Sequence, residues 1–135
     1  MPKISIQNKT NLKQRVLTLM NGLKETTELS FNFKYTGSIL GPGVMKINEE
    51  GFYDIDIDIL VSTNLNAQET YSKIIEGLKP HIRSIEHRVS KLNAVICIKV
   101  DESGYKYKMD IAIFNLYGGK EQKMQKEKQT YVWSK

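Results

Sequence analysis

The sequence is poor in the residues that build disulfides and metal cages, and it has no long apolar run. The single cysteine, Cys97, has no internal partner for a disulfide, and within Val95-Ile96-Cys97-Ile98 it reads as a small buried residue rather than a nucleophile. One cysteine with His81 and His87 falls short of a structural zinc site, and both histidines read as surface residues. No stretch approaches the roughly 20 apolar residues of a membrane span. Lys3 is followed by no apolar run, which argues against a signal peptide and makes the cytoplasm the default expectation. Internal repeats and low-complexity linkers are missing. So is a Walker A loop: Gly119-Lys120 is followed by Glu121 and lacks the earlier glycine. No dinucleotide-binding glycine fingerprint is present either.

What remains is one domain of ordinary size, 135 residues, 40% hydrophobic and 26% charged. Its net charge of +5 is unevenly spread. Residues 37–70 carry six acidic side chains against one basic, while the segments on either side are basic. A solvated surface accounts for this pattern; so does a carboxylate cluster set in a field that attracts polyanions.

Hydrophobic spacing gives the elements. Asn8 or Thr10 caps a helix running to about Lys24, with Leu12, Val16, Leu19 and Leu23 on its core face. Phe31, Phe33 and Tyr35 alternate with polar residues as in a strand. Gly37-Ser38 and Gly41-Pro42-Gly43 form a turn-rich break, and residues 44–52 read as a loop or loose hairpin. Residues 53–61 are the clearest strand. Asn66 caps a helix with Tyr71, Ile74, Ile75 and Leu78 on one face, stopped by Pro80. Residues 79–91 show no clear period. Residues 93–100 and 105–114 form a hairpin around a turn from Asp101 to Gly104. The Lys/Glu/Gln segment 119–129 reads as helix or loop, and Tyr131-Val132-Trp133 as a short apolar patch. The expected fold is α/β (α+β): a mixed β-sheet with helices packed on one face.

The strand at 53–61 carries the chemistry. Alternation places Asp54, Asp56 and Asp58 on one face and Ile55, Ile57, Ile59 and Val61 on the other. Aspartate is a poor strand former, and carboxylates about 7 Å apart on one face repel unless a positive charge lies between them. A divalent cation resolves that cost, since magnesium prefers carboxylate oxygens and keeps room for water and phosphate; an edge strand charged against aggregation is the alternative, and the cation is the favoured reading. Asp110, amid Met109, Ile111 and Ile113, completes a three-carboxylate cluster if its strand lies beside the first; otherwise it pairs with Lys108 or another surface lysine. The Gly37-Ser38 turn offers backbone N–H groups and a hydroxyl to a phosphate, although a lone Gly-Ser is usually only a turn.

In their order, Tyr35-Thr36-Gly37-Ser38, Tyr53-Asp54-Ile55-Asp56-Ile57-Asp58-Ile59-Leu60-Val61 and Lys108-Met109-Asp110-Ile111-Ala112 resemble the polymerase-β-like nucleotidyltransferase superfamily. The resemblance covers residues 10 to about 115. Within the superfamily the chain looks most like the cyclic-nucleotide and oligoadenylate synthases of bacterial anti-phage and animal innate immunity. Tyr53 before the aspartates, the long interval after Ser38 and the route from Arg88 to Asp110 carry that likeness. Members of this branch continue into a helical half that closes over the nucleotide; residues 1–135 match the core without that half, so a further domain or partner chain is expected to complete the site.

The resemblance implies an enzyme that binds a nucleoside triphosphate and two magnesium ions on Asp54, Asp56, Asp58 and Asp110, with phosphate contacts from Gly37 and Ser38. The metal pair is Asp54 with Asp56 or Asp56 with Asp58; Asp56 belongs to both. The acceptor is a nucleotide, an RNA or a protein, with a non-catalytic nucleotide- or nucleic-acid-binding module of the same fold as the alternative. Arg88, Lys91, Lys106 and Lys108 are further phosphate candidates, each more simply read as an exposed charge. Lys120, Lys123, Lys126 and Lys128 could track a nucleic-acid backbone, but their segment lacks the interleaved aromatics of single-strand binders.

Overall fold

The computed structural model describes residues 3–4, 6–40, 45–46, 49–82, 84–90, 93–102 and 105–134. Among the described residues, nine strands and two helices follow the order β1 (Lys3–Ile4), α1 (Ile6–Thr27), β2 (Phe31–Thr36), β3 (Met45–Lys46), β4 (Tyr53–Val61), α2 (Ala67–Leu78), β5 (Ser84–Ser90), β6 (Asn93–Glu102), β7 (Tyr105–Tyr117), β8 (Lys120–Glu127) and β9 (Thr130–Trp133). Seven strands form one mixed sheet in the order β2-β4-β7-β6-β8-β9, with β5 on β6. The two-residue strands β1 and β3 pair separately. The Gly41-Pro42-Gly43 turn and Lys91 lie outside the described residues, as do positions 103–104 of the expected 101–104 turn, whose first two residues extend β6.

The sheet is central because its strands alternate. Ile55, Ile57, Ile59 and Val61 of β4 and Met109, Ile111 and Ile113 of β7 are buried on one face. They share one cluster with Leu12, Val16, Met20 and Leu23 of α1 and with Ala67, Tyr71, Ile74 and Leu78 of α2. Both helices therefore cover a single face, as the sequence predicts. At about 25 cal/mol per Å² of apolar surface, this packing is the main stabilising term.

The helix boundaries differ from the sequence reading for identifiable reasons. Helix α1 starts before Asn8 and Thr10 and runs beyond Lys24 to Thr27. Polar residues fit its opening turns, where backbone N–H groups have no helical partner. It ends without glycine. Glu28 takes the left-handed conformation (φ 59°) and donates its N–H to the Lys24 carbonyl, and the Thr27 hydroxyl accepts from the Leu29 N–H. In α2, Asn66 caps as expected, accepting from the Glu69 N–H at 2.8 Å.

The C-terminal third departs most from expectation. The segment read as helix or loop is strand β8, and Tyr131-Val132-Trp133 belongs to β9 of the same sheet. Gly118 and Gly119, both at positive φ (64° and 80°), close a two-residue hairpin from β7 into β8. Met124 is fully buried on the helix side and anchors an otherwise polar strand. Strand pairing overrides a composition with no alternating pattern. Within the 79–91 segment, which has no clear period, the described residues include a 3-10 turn at Lys79–His81 and strand β5.

Two contacts tie the layers. The buried Asn115 side chain at the end of β7 grips the backbone of Thr63, accepting from its N–H at 3.1 Å and donating to its carbonyl at 3.0 Å. The two helices cross so closely at Gly77 that an added methyl would stand 2.6 Å from Thr27 Cγ2 and 2.7 Å from Leu23 Cδ1. Gly77→Val is expected to lower stability by about 1–3 kcal/mol through overpacking. Asn115→Leu is expected to lower it by about 1–3 kcal/mol by leaving the Thr63 groups without partners. Urea unfolding of the two variants against the parent chain measures both.

Candidate active site

The aspartate row lies on the sheet face opposite the helices. Its geometry comes from the parallel pairing of β4 with β7, which sets Asp54 beside Lys108, Asp56 beside Asp110 and Asp58 beside Ala112. Adjacent strands lie about 4.8 Å apart, so Asp56 and Asp110 present two carboxylates across one rung of the ladder. On its other side Asp110 has Cys97 of β6 as its rung partner. Cys97 is buried, as its sequence context implies, but on the aspartate face rather than within the helix-side cluster.

The electrostatics separate the four aspartates. Burial pushes the Asp56 carboxyl above its ordinary value of 3.8, and the nearby Asp110, Asp54 and Asp58 push it further, against a lowering by Lys108. Asp58 is also raised, first by burial, but Lys34 and Lys123 counter the shift, while Glu121 adds to it. Lys34 is the rung partner of Asp58 on β2. Asp56 thus stands mainly among carboxylates, and Asp58 between two ammonium groups. Asp54 is exposed at the opening of the row. Asp110 is half-buried, and its Oδ1 is buried with no hydrogen-bond partner among the described residues. A buried polar atom of this kind carries a desolvation cost of about 1–3 kcal/mol unless something supplies the missing contact.

No three His, Cys, Asp or Glu side chains among the described residues converge into a ready metal cage. What is present is a carboxylate pair, Asp56 with Asp110, and Asp54 one alternation along the same face. An all-oxygen donor set with open positions suits magnesium, which rarely takes a cage built wholly from protein and keeps water and phosphate among its ligands.

Gly37 and Ser38 open a four-residue 3-10 turn, Gly37–Leu40, directly after β2. Thr36, the last residue of β2, is the rung partner of Asp56, so the turn leaves the sheet alongside the carboxylate pair. Lys106 and Lys108 lie on the aspartate face of β7, whereas Arg88 belongs to β5 at the far side of β6. Lys34 and Lys123 both act on Asp58, a convergence that depends on strand pairing rather than on the sequence around either lysine. The alternation of Lys34 with Phe33 and Tyr35 was the available signal for the first; the Gly-Gly hairpin was the signal for the second. On β6, Lys99 is engaged by Glu50 at 2.8 Å and lies over the Phe52 ring, whereas Lys108 is the rung partner of Asp54 and acts on Asp56.

No protein-family model matches the sequence, and no curated protein matches it. Solved structures do share the fold. The Cid1 poly(U) polymerase, in its MgGTP-bound crystal structure, superposes with a TM-score of 0.59 at 18% identity, over 82% of this chain and 33% of the polymerase. The Vibrio cholerae DncV cyclic AMP-GMP synthase, in complex with the linear intermediate 5′ pppA(3′,5′)pG, superposes with a TM-score of 0.64 at 10% identity, over 98% of this chain and 53% of the synthase. Both proteins are polymerase-β-like nucleotidyltransferases, and this chain has their fold. It spans about a third of the polymerase and about half of the synthase. No described helix is long and apolar enough to cross a membrane.

The raised Asp56 carboxyl has a consequence for stability. The folded chain binds that proton more tightly than the unfolded chain, so stability falls as pH rises from 3.8 through the raised value. Without divalent cations, Asp56→Asn is expected to raise the melting temperature at pH 7 by a few degrees, with the gain shrinking as pH falls toward 4. Thermal melts of both proteins in chelator across that range provide the check.

Proposed function

We propose that the chain is the catalytic core of a magnesium-dependent nucleotidyltransferase, moving a nucleoside monophosphate from a nucleoside triphosphate to a hydroxyl acceptor. The observation that carries this reading is the pairing of Asp56 with Asp110 across neighbouring parallel strands, on the open sheet face, in a fold shared with two nucleotidyltransferases. One of those structures holds MgGTP and the other a linear dinucleotide intermediate, which suits a nucleotide substrate here. The synthase aligns with nearly the whole chain, which favours a nucleotide as acceptor and a cyclic or linear oligonucleotide signal as product. A protein or RNA acceptor is the second reading. A cytoplasmic setting, rich in triphosphates and magnesium, agrees with either.

Asp54, Asp56 and Asp110 are the residues that would hold magnesium. Of the two candidate pairs, Asp54 with Asp56 is preferred, because Asp58 stands between Lys34 and Lys123 and has its charge already opposed. Two bound ions would supply charge neutralisation at the α-phosphate and at the departing pyrophosphate. The chain's own residues do the rest. Gly37 and Ser38 hold the β- and γ-phosphates at the turn after β2, and Lys108 adds positive charge beside Asp54. Asp110 faces the acceptor hydroxyl and takes its proton as the oxygen attacks the α-phosphorus. The bond from that phosphorus to the bridging oxygen breaks, and pyrophosphate leaves in line. Rate enhancement comes from positioning and from fixed charges rather than from covalent chemistry on the protein.

Calorimetric titration with each of the four nucleoside triphosphates tests the site. Binding is expected only with magnesium present, to be lost in Asp56→Ala and Asp110→Ala, and to weaken by less than about ten-fold in Asp58→Ala, as for a partly exposed charge outside the metal set. Triphosphate binding that ignores magnesium, or that survives Asp56→Ala in a folded protein, would exclude the proposed site.

A further inference from the structure

The aspartate row is only half of the open sheet face. Continuing along the same rungs toward the C-terminal ends of β4 and β7, the side chains turn apolar. Ala112 is the rung partner of Asp58, Phe114 that of Leu60, and Leu116 follows on the same face. Leu60, Ala112 and Phe114 are only half-buried, and Leu116 is 46% exposed, one of three large apolar side chains so open among the described residues. The Lys123 ammonium lies 5.5 Å from the centroid of the Phe114 ring and also acts on the Asp58 carboxylate. Charge gives way to an aromatic and aliphatic platform within two rungs, with a lysine at the junction.

We propose that Leu60, Ala112 and Phe114 form the seat of the nucleobase, with Lys123 meeting the polar edge of the base. The inference rests on the metal and phosphate site proposed above and adds where the rest of the nucleotide lies. At about 3.3 Å per residue, Ala112 lies about 7 Å and Phe114 about 13 Å along the strand from Asp110. That interval accommodates a ribose between an α-phosphate held at Asp110 and a flat base on the apolar rungs. A base is the occupant that fits both ends, because the platform is continuous with a carboxylate site suited to a magnesium-bound phosphate. An aromatic ring offers a base a stacking surface without demanding a particular base, whereas Lys123 donates only to acceptor atoms such as ring nitrogens and carbonyl oxygens.

Calorimetry with MgATP, MgGTP and magnesium tripolyphosphate on the parent chain, Phe114→Ala and Phe114→Leu tests this. Tripolyphosphate carries the charge and no base. The expected result is at least about five-fold weaker binding of both nucleotides to Phe114→Ala, the loss of a stacked base, with tripolyphosphate binding unchanged. Phe114→Leu keeps the apolar volume while removing the flat ring, and carries the test if the alanine variant fails to fold. Equal losses for nucleotide and tripolyphosphate, or no loss for either, would overturn the proposal. So would unchanged nucleotide affinity together with a changed sedimentation coefficient, which would assign the strip to self-association. A parent chain that binds tripolyphosphate as tightly as MgATP sinks this inference alone; one that binds neither removes the phosphate site as well.

Discussion

Two like charges held side by side are the constraint around which this fold is arranged. Asp56 and Asp110 occupy one rung of the pairing of β4 with β7, the only parallel one in the main sheet among the described residues. Nothing in the local preferences of either strand favours that arrangement. It survives because the opposite face of the same two strands is a continuous apolar surface, Ile55 through Val61 against Met109 through Ile113, locked under both helices. A slip of one residue in register would turn those isoleucines to water and the aspartates into the core. The hydrophobic face therefore fixes the position of each carboxylate, and the repulsion between them is met by the energy of the layer beneath.

The surroundings divide the row into regions with different chemistry. Asp54 and Asp56 lie with Asp110 and Lys108. Asp58 lies between Lys34 and Lys123, which come from strands at opposite sides of the sheet. Beyond it the face is apolar. Three aspartates that look equivalent in sequence are thus distinguished by what the neighbouring strands bring.

Much of this was legible from the sequence. The period-two alternation in 53–61 and 105–114 is strong enough to fix both faces, and Asn66 with Pro80 brackets α2 closely. The carboxylate pairing depended on one condition, that the two strands be neighbours, and the parallel crossover through α2 satisfies it. The C-terminal third was illegible for a physical reason: β8 has Met124 as its one fully buried apolar anchor, and its pairing comes from backbone hydrogen bonds that composition does not record. The Gly118-Gly119 dipeptide after a strand is the one local signal of the hairpin that leads into it. Helix α1 was under-extended because its end is a left-handed Glu28, where a glycine would have been recognisable.

Strand β7 is long enough to change partners along one edge. It pairs with β6 from Tyr105 to Ala112 and with β8 from Phe114 to Tyr117, while its other edge follows β4 from Tyr107 to Asn115. The hairpins on the first edge close short loops and carry little entropic cost; the β4 pairing must close a loop of some fifty residues. During synthesis the aspartate strand emerges well before β7 exists to receive it. Until β7 is present that edge of the acidic strand has no partner within the chain, and the charges along it discourage pairing with another chain.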